Sequence, residues 1–579
     1  MKSYKELIVE EITNTPQAKG NGKLLVLMDS RASFSEMLVV RKGVLPLLAH
    51  YGVPFAIRDL AGAPLQTSEV LNSRCVIIAH ERMVRAFSKG TIEALKVGLA
   101  HGTGLVNLDG DLYHASSELK ELLGISLQEA PLLTDSLQFS QKPHFIIRFK
   151  EPGQRLSWKR PLTLYWAEEM EDDWQVVASG IMGKEQLIVA RHLIPEIAVV
   201  PGQYPAIAVK NEEKGKIVQW FLSPRIFLPD FLGHCKGMDD ILAGSIIWAT
   251  KKPFIYNSFP PFVVFRIDDV SGAKGLRWLQ TAAEVGFKCA PSIFIDRIKG
   301  DSLKVARKLQ EEGKAEVSCH ASSYYELMGF KFGYGPHKKE AVAARYEKMR
   351  KFFAQNRLRI PKTWNPHWGE IALDELSEMK KLGARYILGH FLPDDAKHGR
   401  LNWNPKPYGS VECFYDYSPN DPEIIRFASM KAGAEQDFLE GLTVFAGHSD
   451  RNQIDAIIRR GTEQITWGLS CGFHGQLLTH EQKIAVISDE DWEMILRAIK
   501  ENIEKFNPKF ALLDQIAAYI ESRMSSRLKS VNVEESELLA EFEGNTLCDM
   551  YLTRADGDEE ISLDFITVGK FKNDATFSA

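Results

Sequence analysis

Between residues 262 and 506, short apolar runs alternate with amphipathic helical segments, and one run after another ends in Asp or His. The runs are FVVFRIDDV (262–270), CAPSIFI (289–295), AEVSCHA (315–321), TWNPHWG (363–369), ARYILGH (384–390), LTVFAGH (442–448) and QLLTHE (476–481). Between them lie GLRWLQTAAEVGF (275–287), DSLKVARKLQEEG (301–313), EAVAARYEKMRKFFAQN (340–356), LDELSEMKKLG (373–383) and, last, DWEMILRAIKENIEKF (491–506). Uniformly apolar strands alternating with helices are the pattern of parallel strands covered on both faces. The spacing predicts a deformed (β/α) barrel over residues 256–528, with eight units or fewer. A barrel draws its reactive side chains from the C-terminal ends of different strands. That rule selects Asp268, Asp269, His320, His367, His390, His448 and His480.

The rest of the chain reads as flanking domains. In 1–125, KLLVLMD, VPFAIRDL, RCVIIAH and GLVNL alternate with helical segments, which predicts a doubly wound α/β domain. It resembles class I glutamine-amidotransferase-like domains. It holds no Gly-x-Cys-x-Gly turn, and Cys75 sits inside an apolar run, where a thiol is inert. Residues 126–255 hold successive β-rich runs, among them HFIIRF, LTLYWAEE, QLIVARHL and GKIVQWFL, and predict a separate sandwich-like domain. Residues 529–579 read as a small β appendage. The whole chain is therefore α/β multidomain.

Charge and cysteine exclude other classes. Lys+Arg 71 against Asp+Glu 76 leaves no basic footprint for nucleic acid. The first residues, MKSYKELIVEE, lack an apolar leader, and no run reaches the ~18 apolar residues of a membrane helix. This reads as a cytoplasmic protein with no integral membrane segment, and leaves self-association open. The seven Cys show no CxxC spacing, against a disulfide framework or a thiolate metal site.

Asp and His at strand ends are oxygen and nitrogen donors suited to Zn²⁺ or a similar ion. Two adjacent Asp on a buried strand repel one another unless a cation intervenes; the alternative is that one caps the following helix. FRIDDVSG resembles the first motif of the NodB-homology polysaccharide deacetylases. SCHASSYYE is similar to their His-x-x-x-His element, TWNPHWG to their Arg-x-Pro-x-Gly element, and GQLLTHE to their closing Leu-x-His. The variants are similar to large members, such as the N-deacetylase part of heparan sulfate N-deacetylase/N-sulfotransferases and microbial exopolysaccharide deacetylases.

The resemblance implies one divalent metal ion, Zn²⁺ first, and an N-acetylated saccharide as substrate. It implies Asp268 as general base, His480 as general acid, and Asp269 and His320 as metal ligands. Tyr324 stands where that family has its second His. His367 or His337 is then the candidate third ligand, with Tyr324 itself, an extra water or a decayed site as alternatives. Arg266, Trp364 and Trp368 are candidate substrate contacts, and Trp403 lies near the same loops. Against hydrolysis of an N-acetyl group stand two other readings: a non-catalytic carbohydrate-binding protein, and a metal-dependent hydrolase of another C–N bond.

Overall fold

A computed structural model of the protein describes residues 2–127, 131–182, 202–331, 335–367, 371–388, 391–392, 402–403, 415–418, 421–428, 437–440, 444–445, 448–449, 451–534 and 537–578. They form two compact units, one comprising Met1–Ser258 and Ser525–Ala579, the other Phe259–Pro407 and Glu412–Met524. Among the described residues no helix is long and apolar enough to cross a membrane.

The first unit is organised by one nine-stranded sheet. Its strands are β1 (Leu24–Met28), β2 (Phe55–Asp59), β3 (Cys75–Ile78), β4 (Gly104–Asn107), β5 (Leu132–Phe139), β6 (Arg155–Leu164), β7 (Gln175–Met182), β8 (Gly202–Glu212) and β9 (Gly215–Trp220). They run in the order β2-β1-β3-β4-β9-β8-β7-β5-β6. All five residues of β1 and all four of β3 are buried, as parallel strands covered on both faces require. The expected boundary at residue 125 is corrected here. β9 lies parallel to β4, with Val218 opposite Val106, so the β-rich segment extends the α/β sheet and forms no separate sandwich. An uncovered β4 would expose a row of unpaired backbone groups, and β9 satisfies them.

The C-terminal appendage is corrected in the same way. Lys19 exchanges backbone hydrogen bonds with Lys529 and Val531 of the strand Ser526–Glu534, and Phe254–Tyr256 pairs antiparallel with Met550–Asp556. These residues belong to the first unit. QLIVARHL (186–193) lies outside the described residues.

The second unit carries seven strands that position the candidate site: β10 (Phe262–Val270), β11 (Cys289–Phe294), β12 (Ser318–Ala321), β13 (Thr363–Trp364), β14 (Tyr386–Leu388), β15 (Asp421–Phe427) and β16 (Gly475–His480). β16-β10-β11-β12 form one parallel sheet, and β13-β14-β15 run parallel in a second. β12 lies beside β13, but among the described residues no ladder joins the two sheets into a closed ring. Helices cover the outside. In Asp489–Ile503, Trp492, Ile495, Leu496, Ile499 and Ile503 are buried at helical spacing, and Ser488 caps the N-terminus by accepting the Asp491 N–H at 3.0 Å. Trp492 fastens this helix to Arg277–Val285 by donating its indole N–H to the Trp278 carbonyl at 2.9 Å.

Candidate metal centre and its proton-transfer groups

On a regular strand, neighbouring side chains point to opposite faces. β10 escapes this rule at its end. Ile267 is level with Pro291 of β11 while Val270 is level with Ile293, so β10 holds one extra residue in between. Asp269 takes a left-handed backbone, φ 59°, at this bulge. The irregularity lets consecutive carboxylates serve one site, and both are buried.

Asp269 Oδ1 lies 3.4 Å from His320 Nε2 and 3.3 Å from His367 Nε2, and donor atoms of all three residues fall within 4.8 Å of one another. Four-coordinate ligands ~2.1 Å from Zn²⁺ stand ~3.4 Å apart, the spacing observed from the carboxylate to each imidazole. His320 Nδ1 faces the Asn365 carbonyl at 2.9 Å. A carbonyl only accepts, so Nδ1 donates there and Nε2 is the nitrogen turned to Asp269. Burial, reinforced by His320, pushes His367 down to about 3, so it is neutral and able to ligate. Asp269 Oδ1 is buried and accepts no hydrogen bond. Burial alone would raise the Asp269 carboxyl, but His320, Gln482 and His367 outweigh it and hold it below its usual range. An ionised oxygen turned towards two nitrogens suits a divalent cation.

Tyr324 does not leave this cluster short of nitrogen, because His367 occupies the third corner. The Tyr324 ring stands edge-on to His367 at 5.4 Å and is 39% exposed, with Tyr325, 61% exposed, beside it. His337 lies 3.9 Å from the Glu326 carboxylate, outside the cluster.

Asp268 and His480 face each other in register on β10 and β16. Arg266, expected at the substrate, instead grips Asp268: its Nε donates to Oδ1 at 2.9 Å and its Nη2 to Oδ2. Asn365 Nδ2 adds a hydrogen bond to Oδ1 at 2.8 Å. Burial would raise the Asp268 carboxyl, yet the Arg266 guanidinium, with His320 and His480, holds it far below the usual carboxylate range. Asp268 is therefore ionised throughout ordinary pH.

His480 Nδ1 bonds Asp437 Oδ2 at 2.8 Å, and the same carboxylate accepts the His480 and Leu439 backbone N–H groups and the Thr479 hydroxyl. Burial would lower His480, but Asp437, with Asp268 and Asp269, raises it above its ordinary value. Sequence reasoning misses Asp437, which lies among AEQDFLEGL with no strand run to announce it.

The tryptophan expectation fails for Trp364. It is 6% exposed and stacks on the buried Tyr346 ring at 5.7 Å, so it presents no face to a sugar. An apolar side chain on a two-residue strand between helices is drawn into the core. Trp368 and His390 lie outside the described residues, as do the side chains of Trp403 and His448.

No protein-family model matches the sequence, and no curated protein does. Solved structures are similar over less than half of the chain. The family 4 carbohydrate esterase from Streptomyces lividans is 11% identical, with TM-score 0.26, covering 44% of this chain and 91% of its own. The peptidoglycan deacetylase from Bacillus subtilis is 10% identical, with TM-score 0.27, covering 46% and 94%. The chitin deacetylase from Colletotrichum lindemuthianum is 8% identical, with TM-score 0.27, covering 45% and 89%.

Proposed function

We propose that the second unit is a metal-dependent hydrolase that removes the N-acetyl group from an amino sugar in a saccharide. The observation that carries this reading is the pairing of an ionised Asp268 with a His480–Asp437 dyad on adjacent strands, beside the Asp269–His320–His367 cluster. A divalent ion held by those three residues supplies Lewis acidity toward a carbonyl oxygen and a water molecule. Asp268 takes a proton from the attacking water as its oxygen bonds to the acetyl carbon. Arg266 and Asn365 fix the angle of that carboxylate. When the C–N bond breaks, the electron pair stays on nitrogen, and His480 Nε2 delivers a proton there. The products are acetate and the amine.

An amide requires this acid, because an unprotonated amine anion is too poor a leaving group. The directions suit the roles, since Asp268 is lowered and ionised, while His480 is raised and keeps its proton to higher pH than a free imidazole. The exposed Tyr324 ring beside His367, with the Tyr325 ring next to it, supplies apolar faces on which sugar rings stack. The order of the four motif-like segments supports the same reading.

The test is acetate release by the full chain from chitooligosaccharides, glycosaminoglycan precursors and bacterial exopolysaccharides, with Zn²⁺ and after chelation. Release that disappears on chelation and returns with metal is expected. A chain that binds one ion yet releases no acetate from any N-acetylated saccharide overturns the substrate class. A chain that binds no divalent ion overturns the mechanism.

A further inference from the structure

Three consecutive residues, His480 at the end of β16 and Glu481 and Gln482 directly after it, meet the paired aspartates and the loop that follows them. His480 is in register with Asp268. Glu481, 3% exposed, accepts the backbone N–H groups of Ser271, Gly272 and Ala273 at 2.6, 3.0 and 2.9 Å. Converging backbone N–H groups of this kind form an anion-binding nest, which here is filled from within the chain. Gln482 reaches the aspartate itself, donating Nε2–H to Asp269 Oδ2 at 2.9 Å. Only the amide nitrogen can face a carboxylate that has no hydrogen to give, so this orientation is fixed by chemistry.

The two oxygens of Asp269 thus differ. Oδ2 is engaged by Gln482, while Oδ1 accepts no hydrogen bond and faces both imidazoles. At a left-handed residue on a bulge, no regular ladder dictates where the side chain points. We infer that Gln482 is a positioning residue of the metal centre: by holding Oδ2 it turns Oδ1 to the imidazoles and makes Asp269 a one-oxygen ligand, while Glu481 clamps the loop that follows Asp269. This rests on the metal-dependent reading proposed above. Without the amide, Asp269 can rotate or offer both oxygens, and the centre loses preorganisation.

The experiment uses the full chain, Gln482→Leu and Gln482→Asn, the latter keeping the amide on an arm one carbon shorter. Zn²⁺ affinity is read by competition with a chromophoric chelator, coordination by the visible spectrum of the Co²⁺ form, and fold by thermal unfolding without metal. Both variants should bind one Zn²⁺ about 10–100-fold more weakly than wild type. Their Co²⁺ bands should also weaken as the coordination number rises, with metal-free unfolding within a few degrees of wild type. Wild-type Zn²⁺ affinity in both variants overturns the inference, as does a drop in unfolding temperature with affinity unchanged. Asp269→Ala separates the two levels. If it alone abolishes binding while the Gln482 variants bind normally, the metal reading stands and the role of Gln482 falls. If wild type binds no metal, both fall.

Discussion

Asp437→Asn probes the proposed acid, His480, without touching the candidate metal ligands Asp269, His320 and His367. The Asp437 carboxylate accepts four hydrogen bonds, from the Thr479 hydroxyl at 2.7 Å, Leu439 N at 2.8 Å, His480 N at 2.9 Å and His480 Nδ1 at 2.8 Å. A carboxylate has about four acceptor sites, so it is saturated. An asparagine oxygen still serves Thr479 and Leu439, but its NH₂ then points at His480. That group confronts the His480 backbone N–H and can only donate to Nδ1, which must give up its hydrogen. One buried donor left unsatisfied costs about 1–3 kcal/mol, so stability should fall by that order.

The catalytic loss should be larger. A positioned acid contributes ~10²–10⁴-fold, or ~3–5 kcal/mol of barrier. A general acid works while protonated, so wild-type activity falls as pH rises through the elevated His480 value. Removing the Asp437 charge moves that alkaline limb to lower pH. The assay is kcat against pH on an N-acetylated saccharide and on an activated aryl acetate, with metal content measured in parallel. Expected are a ~10²–10⁴-fold loss on the amide, much of it recovered on the ester, and full metal occupancy. An unmoved alkaline limb, or equal losses on both substrates, refutes the assignment of His480–Asp437 as the acid.

Asp268→Asn should keep the metal and lose ~10²–10⁴-fold on both substrates, because the base acts on the water whatever the leaving group; rescue by the ester counts against it. Cys75→Ser should leave any hydrolytic activity intact, since this thiol is fully buried in the first unit and pushed up to about 12 by burial, which activity assays of the folded variant check. Trp364→Ala should lower unfolding stability by about 3–5 kcal/mol, as the loss of a buried ring stacked on Tyr346 demands. Chemical denaturation measures this, and a near-neutral result would show that the ring is not part of the core.

What the sequence reveals depends on how local the cause is. β10, β12 and β16 are legible because each is a short buried run, and Asp268, Asp269, His320 and His480 stand at their ends. His367 is legible as a candidate but not as a choice over His337, since selecting between them requires knowing that His337 turns to Glu326. Asp437 and Gln482 leave no periodic trace, because their roles are set by partners 43 and 213 residues away. The division expected at residue 125 fails because strand pairing between β4 and β9 is a tertiary fact; the change from helix-rich to strand-rich sequence marks a change of connection within one sheet.

The bulge at Asp269 also couples a backbone cost to the contacts that offset it. A left-handed backbone at a non-glycine residue costs of order 1 kcal/mol, somewhat less for Asp, while the carboxylate's contacts with His320, Gln482 and His367 more than offset its desolvation. Glycine adopts φ 59° without that cost. Asp269→Gly should therefore recover the backbone cost but lose those contacts and leave the Gln482 amide unpaired, giving a folded protein no more stable than wild type and unable to hold the ion, which thermal unfolding and elemental analysis would read together.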